Sequence, residues 1–204
     1  VQAELTQELA SYFSFKNNGE DKFLVRISAK VSLGKQENNL PRKETQLTIQ
    51  VPTLNGIAPE SVNVLPKNTS MTNGEQEEKI VYSNSQVNYD KDKKIVTMTV
   101  ENKETDQKLW SGNGQDEYII SYVYPKGAIT AETNKLVSKA EANITMYQAE
   151  SEKEVKANNQ VEITLDKEVG TPLTLEMTAE DSMNKGKMYA NSQRELKEYD
   201  TEYN

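Results

Sequence analysis

The side chains available for chemistry in this chain are carboxylates, lysines and amides, because its 204 residues include no His and no Cys. That removes the usual ligand sets for zinc, copper, haem and iron–sulfur clusters. It also removes His-based triads and thiol nucleophiles. Paired carboxylates remain. Asp90 with Asp92, or Asp116 with Glu117, could form an acid pair of the glycosidase type. Such a pair must face across a sugar cleft, usually beside aromatic platforms, and the chain has one Trp, Trp110, in a polar stretch. Turn and surface charge is the stronger reading of all four acids. No catalytic residue is assigned, and the chain reads as a non-enzyme without a cofactor.

Calcium and covalent crosslinking are the next candidates. Asp90-Lys91-Asp92 offers oxygens, but Lys91, Lys93 and Lys94 crowd them with positive charge. No Asp-rich loop with a central Gly and a closing Glu is present, so no metal site is assigned. A Lys–Asn isopeptide bond would need a desolvated, neutral Lys attacking an Asn carboxamide beside a buried acid. Lys22 or Lys30 could supply the amine and Asn143 the amide, although lysines on strands are usually solvated. Asn68-Thr69-Ser70 and Asn143-Ile144-Thr145 match the N-glycosylation pattern; in a bacterial chain the match is best read as chance. Trp110 is the candidate ligand contact. Tyr118 and Tyr122 could join it as a platform, with core packing the stronger reading for the tyrosines.

Composition narrows the partner classes. Basic residues number 24 and acidic residues 32, for a net charge of -8. That balance argues against nucleic acid, which selects for basic patches. No apolar run approaches the ~20 residues of a membrane helix, so membrane insertion is not expected. Hydrophobic residues are only 35% of the chain, low enough that composition alone would border on disorder. Their arrangement decides otherwise, because they fall into short alternating runs that bury one face and wet the other.

Those runs define the elements that must carry any site. Residues 1–15 fit two templates: odd positions give an imperfect period of two, while Leu5, Leu9 and Tyr12 or Phe13 fit a helical face. Phe23, Val25, Ile27, Ala29, Val31 and Leu33 then alternate without a miss. Further strands are read at 47–51, 62–64, 80–82, 87–89, 94–100 and 117–124, with a hairpin turn at 90–93. Residues 69–78 and 102–114 read as polar loops. Residues 131–135 read as a helical turn, 137–147 as a long strand, 150–159 as a charged loop, and 161–165 and 173–177 as strands. About seven strands before residue 124 match an immunoglobulin-like sandwich. The fold expected is all-β, with two tandem sandwiches, the second incomplete. Residues 1–20 would be a linker or a short helix or strand, 21–127 the first sandwich and 128–204 the second. The expected core is Phe23, Val25, Ile27, Leu47, Ile49, Val51, Val62, Val96, Met98, Val100, Ile120, Tyr122, Ile144, Val161 and Ile163.

Two stretches carry a family likeness. One is Leu40-Pro41-Arg42-Lys43-Glu44-Thr45 followed by Leu47-Thr48-Ile49-Gln50-Val51-Pro52-Thr53-Leu54-Asn55-Gly56-Ile57-Ala58-Pro59-Glu60-Ser61-Val62. The other is Lys185-Gly186-Lys187-Met188-Tyr189-Ala190-Asn191 followed by Tyr199-Asp200-Thr201-Glu202-Tyr203. They resemble the tandem immunoglobulin-like β-sandwich repeats of large Firmicutes cell-surface proteins, over most of the chain from about Tyr12 onward. The resemblance implies one unit of an extracellular array, Tyr12-Phe13-Ser14-Phe15 as an inter-repeat linker, and Tyr203-Asn204 as a cut inside the next strand. It brings no catalytic residues. With the Thr/Asn/Lys-rich, cysteine-free composition it implies the wall or surface of a Gram-positive bacterium.

Three functional expectations follow. The first is a structural and adhesive stalk unit, partnered by neighbouring repeats or identical subunits. The second is a fibre or shell subunit in which residues 1–15 complete a neighbour's open sheet. The third is a glycan- or host-protein-binding adhesin acting through residues 68–78 or 102–116.

Overall fold

The computed structural model describes residues 2–37, 40–66, 70–73, 76–79, 84–101, 115–130, 133–166 and 175–176. Twelve strands are defined: β1 (Ala3–Asn17), β2 (Glu20–Leu33), β3 (Arg42–Gln50), β4 (Ser61–Pro66), β5 (Ser70–Asn73), β6 (Gln76–Lys79), β7 (Asn84–Asp90), β8 (Ile95–Glu101), β9 (Gln115–Pro125), β10 (Thr133–Gln148), β11 (Ser151–Asp166) and β12 (Leu175–Glu176). One sheet has the order β12-β1-β2-β9-β4 and the other β11-β10-β3-β8-β7. They pack face to face as an immunoglobulin-like sandwich, antiparallel except for the two-residue β1–β12 pairing. A small hairpin, β5–β6, stands apart from both sheets.

The alternating runs dictate the core. Phe23, Val25, Ile27, Ala29 and Val31 of β2 meet Leu47 and Ile49 of β3, Val96, Met98 and Val100 of β8, and Ala140, Ala142 and Ile144 of β10. Every expected core residue is buried or packs against the core, Val62 and Val161 being only partly covered. A second buried set, Phe13, Phe15, Leu24, Ile119 and Val123, lies on the outer face of the first sheet.

The ambiguous first segment is a strand, and a bulge explains its double signature. β1 pairs with β2 from Ala3↔Leu33 to Asn17↔Glu20, with a register shift between Leu9 and Ser11. The extra residue switches the faces: Leu5 and Leu9 point inward before the bulge and Tyr12 after it. Phe13 and Phe15 are thereby turned outward. Three inward residues spaced four and three apart imitate a helical stripe. Tyr12-Phe13-Ser14-Phe15 is therefore interior strand and not a linker. β1 also fills its own sheet, in the place where strand exchange would put a neighbour's strand. Asn18 and Gly19 close the hairpin, both at positive φ (52° and 82°), as a two-residue turn between twisted strands requires.

The expected partition at residue 127 runs through a single sheet. β10 pairs with β3 from Lys139↔Gln50 to Met146↔Arg42, so the strands assigned to a second sandwich complete the first. Residues 133–135 are strand, not helical turn, and the expected charged loop 150–159 is the first half of β11. Its signal was masked because β11 is an edge strand. Glu152, Glu154, Lys156 and Asn158 face water, while only Val155 and Ala157 of this half supply buried apolar cover. Outward charge is how edges avoid pairing with strangers. The strand read at 80–82, most of 173–177 and the motifs at 185–203 lie outside the described residues.

Ile49 is fully buried at the centre of β3. Ile49→Asp places an uncompensated charge there, at a cost of more than about 4 kcal/mol. Circular-dichroism melting should lose its cooperative transition, and an unchanged melting temperature would mean that the face assignment is wrong.

Candidate functional site

The sandwich has two unlike poles. At the first pole the chain enters β1: Gly34 N–H donates to Gln2 C=O at 2.8 Å, and Tyr147 N–H to Pro41 C=O at 2.8 Å. Two ion pairs close this pole. Arg42 of β3 meets Asp116 of β9 between the sheets, both side chains 3% exposed. The Tyr118 hydroxyl donates to Asp116 Oδ2 at 3.3 Å. Nearby, Lys153 Nζ lies 3.1 Å from Glu37 Oε1, and the Glu37 residue is 4% exposed.

At the second pole, around the β1–β2 turn, lies a cleft of about 330 Å³. Its floor is Tyr12, Phe23, Ile129 and Leu165. The two rings are tilted at 54° with centroids 5.9 Å apart. Ser14 forms part of the wall, and Asp21 and Lys126 stand at the rim, 3.9 Å apart. Asn134 is buried in the opposite wall and held by Asn55, whose Nδ2 donates to Asn134 Oδ1 at 2.9 Å and to Ala128 C=O at 2.6 Å.

None of the sequence-derived site residues converges here into a reaction centre. Asp116 and Glu117 are consecutive on β9 and point to opposite faces: Asp116 inward to Arg42, Glu117 outward to accept from Ser28 Oγ at 2.6 Å. They cannot act as one pair. Asp90 Oδ1 accepts from Lys93 N–H at 3.0 Å, which makes it a cap of the β7–β8 turn. Among the described residues, no group of three or more acidic side chains could hold a metal.

The crosslink candidates are also kept apart. Lys22 and Lys30 lie on the outer face of the first sheet, and Asn143 lies on the outer face of the second, with the core between them. Lys22 Nζ sits 2.8 Å from both Glu60 carboxylate oxygens and 3.2 Å from Glu20. The Glu60 hydrogen bond raises the Lys22 pKa against the opposing effect of burial. The amine is thus held as an ammonium, the opposite of what nucleophilic attack needs. Lys30 pairs with Glu8 at 3.6 Å. Asn143 stands mid-strand between Gln46 and Lys156 with its Oδ1 buried. Tyr118, Tyr122 and Tyr124 are fully buried in the core, so they are no ligand platform. Burial pushes the Tyr122 and Tyr124 hydroxyl pKa values up. Trp110 and Asn68 lie outside the described residues.

Sequence reasoning missed the buried polar groups that join the sheets. Arg42 preceded a recognised strand by a few residues and had no alternation to mark it. Gln7 occupied an inward position of a segment whose periodicity was broken. Its Nε2 donates to Ser138 C=O at 3.1 Å and Asn159 C=O at 3.2 Å, and its Oε1 accepts from Ser138 Oγ at 2.7 Å.

No protein-family model matches the sequence, and no curated protein sequence matches it. Similar solved structures include the collagen-binding domain from a Staphylococcus aureus adhesin, at 10% identity over 77% of this chain and 96% of that one, with a TM-score of 0.34. Another is the full-length major pilin SpaD from Corynebacterium diphtheriae, at 14% identity and a TM-score of 0.39. That match covers 80% of this chain, which spans 34% of the pilin. At these scores the likeness carries no functional information.

Two outcomes follow from the first pole. Arg42→Ala or Asp116→Ala strands one buried charge and should cost about 3–5 kcal/mol, whereas Arg42→Met with Asp116→Leu should cost less than either. Urea denaturation of the three variants tests this, and a double variant less stable than both singles would show that the two groups do not act as a pair. Burial alone would raise the Glu37 pKa, but its own backbone N–H and Lys153 outweigh burial and hold it low. A carboxylate depressed in the fold contributes stability above its unfolded pKa and loses it as pH falls through the folded one. Melting temperature should therefore drop on acidification below the ordinary Glu value of about 4.3. The drop should be smaller in Glu37→Gln, and an unaltered acid limb in that variant would refute the assignment.

Proposed function

We propose that this chain is a non-catalytic, load-bearing unit of an extracellular array. It would be one in-line segment of a stalk on a Gram-positive cell surface of the Firmicutes type. Neighbouring repeats of the same polypeptide, or identical subunits, would be its partners, and the stalk would present a glycan- or host-protein-binding region. The supporting observation is the route of the chain. Gln7 meets Asn159, and Tyr12 and Ser14 share the second-pole cleft with Leu165. β1 and β11 therefore run in the same direction, side by side along one seam. The chain enters at the first pole and reaches Asp166 at the second. β12 repeats this direction, pairing in parallel with Phe15 and Lys16.

The start of β1 and the end of β11 are separated by about the length of β1, roughly 45–50 Å at about 3.3 Å per residue. Tension along the chain then slides β1 past its neighbours, loading many backbone hydrogen bonds at once. A fold with both ends at one pole would be peeled open bond by bond. The composition agrees: an acidic, cysteine-free, Thr- and Asn-rich β protein.

Single-molecule pulling tests the reading. The chain has no cysteine, so paired handles can be introduced cleanly. Handles at Gln2 and Thr164 pull in shear, and handles at Gln2 and Lys35 peel the β1–β2 hairpin from its open end. The shear geometry should need a several-fold larger rupture force. Equal forces, or a weaker shear geometry, would remove the load-bearing role.

A further inference from the structure

The load-bearing reading makes no use of the second-pole cleft. Here the β1–β2 hairpin runs on past the end of β9, which stops at Pro125 opposite Lys22. The β1–β2 hairpin extends to Asn17 and Glu20, while β9 stops at Pro125 and β10 starts at Thr133. The partly exposed Tyr12, packed against the largely buried Phe23, lines an opening of about 330 Å³. That is at the small end of the roughly 300–1,000 Å³ typical of small-molecule sites. The walls are preset: Asn55 bolts Asn134 to Ala128, and Gly127 turns the chain at φ 94°.

We propose that this cleft binds a neutral saccharide unit. A pyranose ring has an apolar C–H face and an edge of hydroxyls. The partly exposed Tyr12 ring and Ile129, backed by the buried Phe23 and Leu165, match the first. The Asp21 carboxylate accepts hydroxyl hydrogens, Lys126 donates to hydroxyl oxygens and Ser14 does either. Charge selects against ions. Asp21 and Lys126 cancel at the rim, while Lys22 is engaged by Glu60 and Glu20. The volume admits one or two rings, so the site would grip a glycan terminus and not a long chain. This site is separate from residues 68–78 and 102–116, and it does not depend on the stalk reading: a unit that fails the pulling test can still bind here.

The test is NMR chemical-shift mapping of the ¹⁵N-labelled chain with methyl glycosides of glucose, galactose, mannose and N-acetylglucosamine. N-acetyl-leucine amide serves as an apolar, non-sugar control. At least one glycoside should bind with Kd near the millimolar range and shift the amides of Tyr12, Asp21, Phe23, Lys126 and Gly127. Asp21→Ala with Lys126→Ala should weaken that binding by about tenfold or more. Both side chains are more than half exposed, so the melting temperature should not change. The proposal is overturned if no glycoside shifts these amides, if shifts fall elsewhere, or if the double variant binds equally well. It is also overturned if only N-acetyl-leucine amide occupies the cleft.

Discussion

The structure depends on how the seam between β1 and β11 is sealed. Two sheets packed face to face leave their lateral edges open, and water entering there would reach the core. Gln7 stands at that edge, 8% exposed, and spends its polar atoms on Ser138 and Asn159 across the gap. A buried amide with its donors and acceptor engaged is tolerated, whereas an unengaged one costs about 1–3 kcal/mol. The amide also sets alignment. It meets Asn159 only if β1 and β11 lie in the same direction at one particular offset. That offset puts Leu165 beside Tyr12 and Ser14, and so decides at which pole β11 ends.

The poles follow from the same alignment. At the first, strand ends converge and the space between the sheets is filled by Arg42, Asp116 and Tyr118. An ion pair so deeply buried adds little net stability compared with apolar packing, but it is costly to break singly. It therefore works as a constraint on which strand ends meet. Glu37 and Lys153 repeat the device on the loop between β2 and β3. At the second pole the hairpin overhangs and no equivalent plug is present among the described residues. Rigid closure and an open mouth are thus the two ends of one sandwich, joined by strands of 14–16 residues.

Much of this was legible from residue order. Alternation identified β2, β3, β8 and β9 with their inward faces. The Asp90–Lys93 turn and the Leu54-Asn55-Gly56 turn were readable from side-chain type, and the latter carries Asn55 and Gly56 at positive φ. What failed did so for local reasons. The bulge after Leu9 mixed two periods in β1, and charge on an edge strand disguised the first half of β11.

The sequence by itself determined the class of protein: all-β, acidic, without the side chains that redox, thiol or histidine chemistry requires. It determined strand faces too, because a period of two records which side of a strand is buried. Only the tertiary structure decided that β1–β4 and β7–β11 make one sandwich and not parts of two. It also decided that Lys22 and Asn143 lie on opposite outer faces, that Arg42 finds Asp116, and that a cleft opens beside Tyr12. Alternation carries no information about which strand is the neighbour. Pairing partners far apart in the chain are chosen by the whole core at once, through register, bulges and the few buried polar groups that tolerate only one alignment.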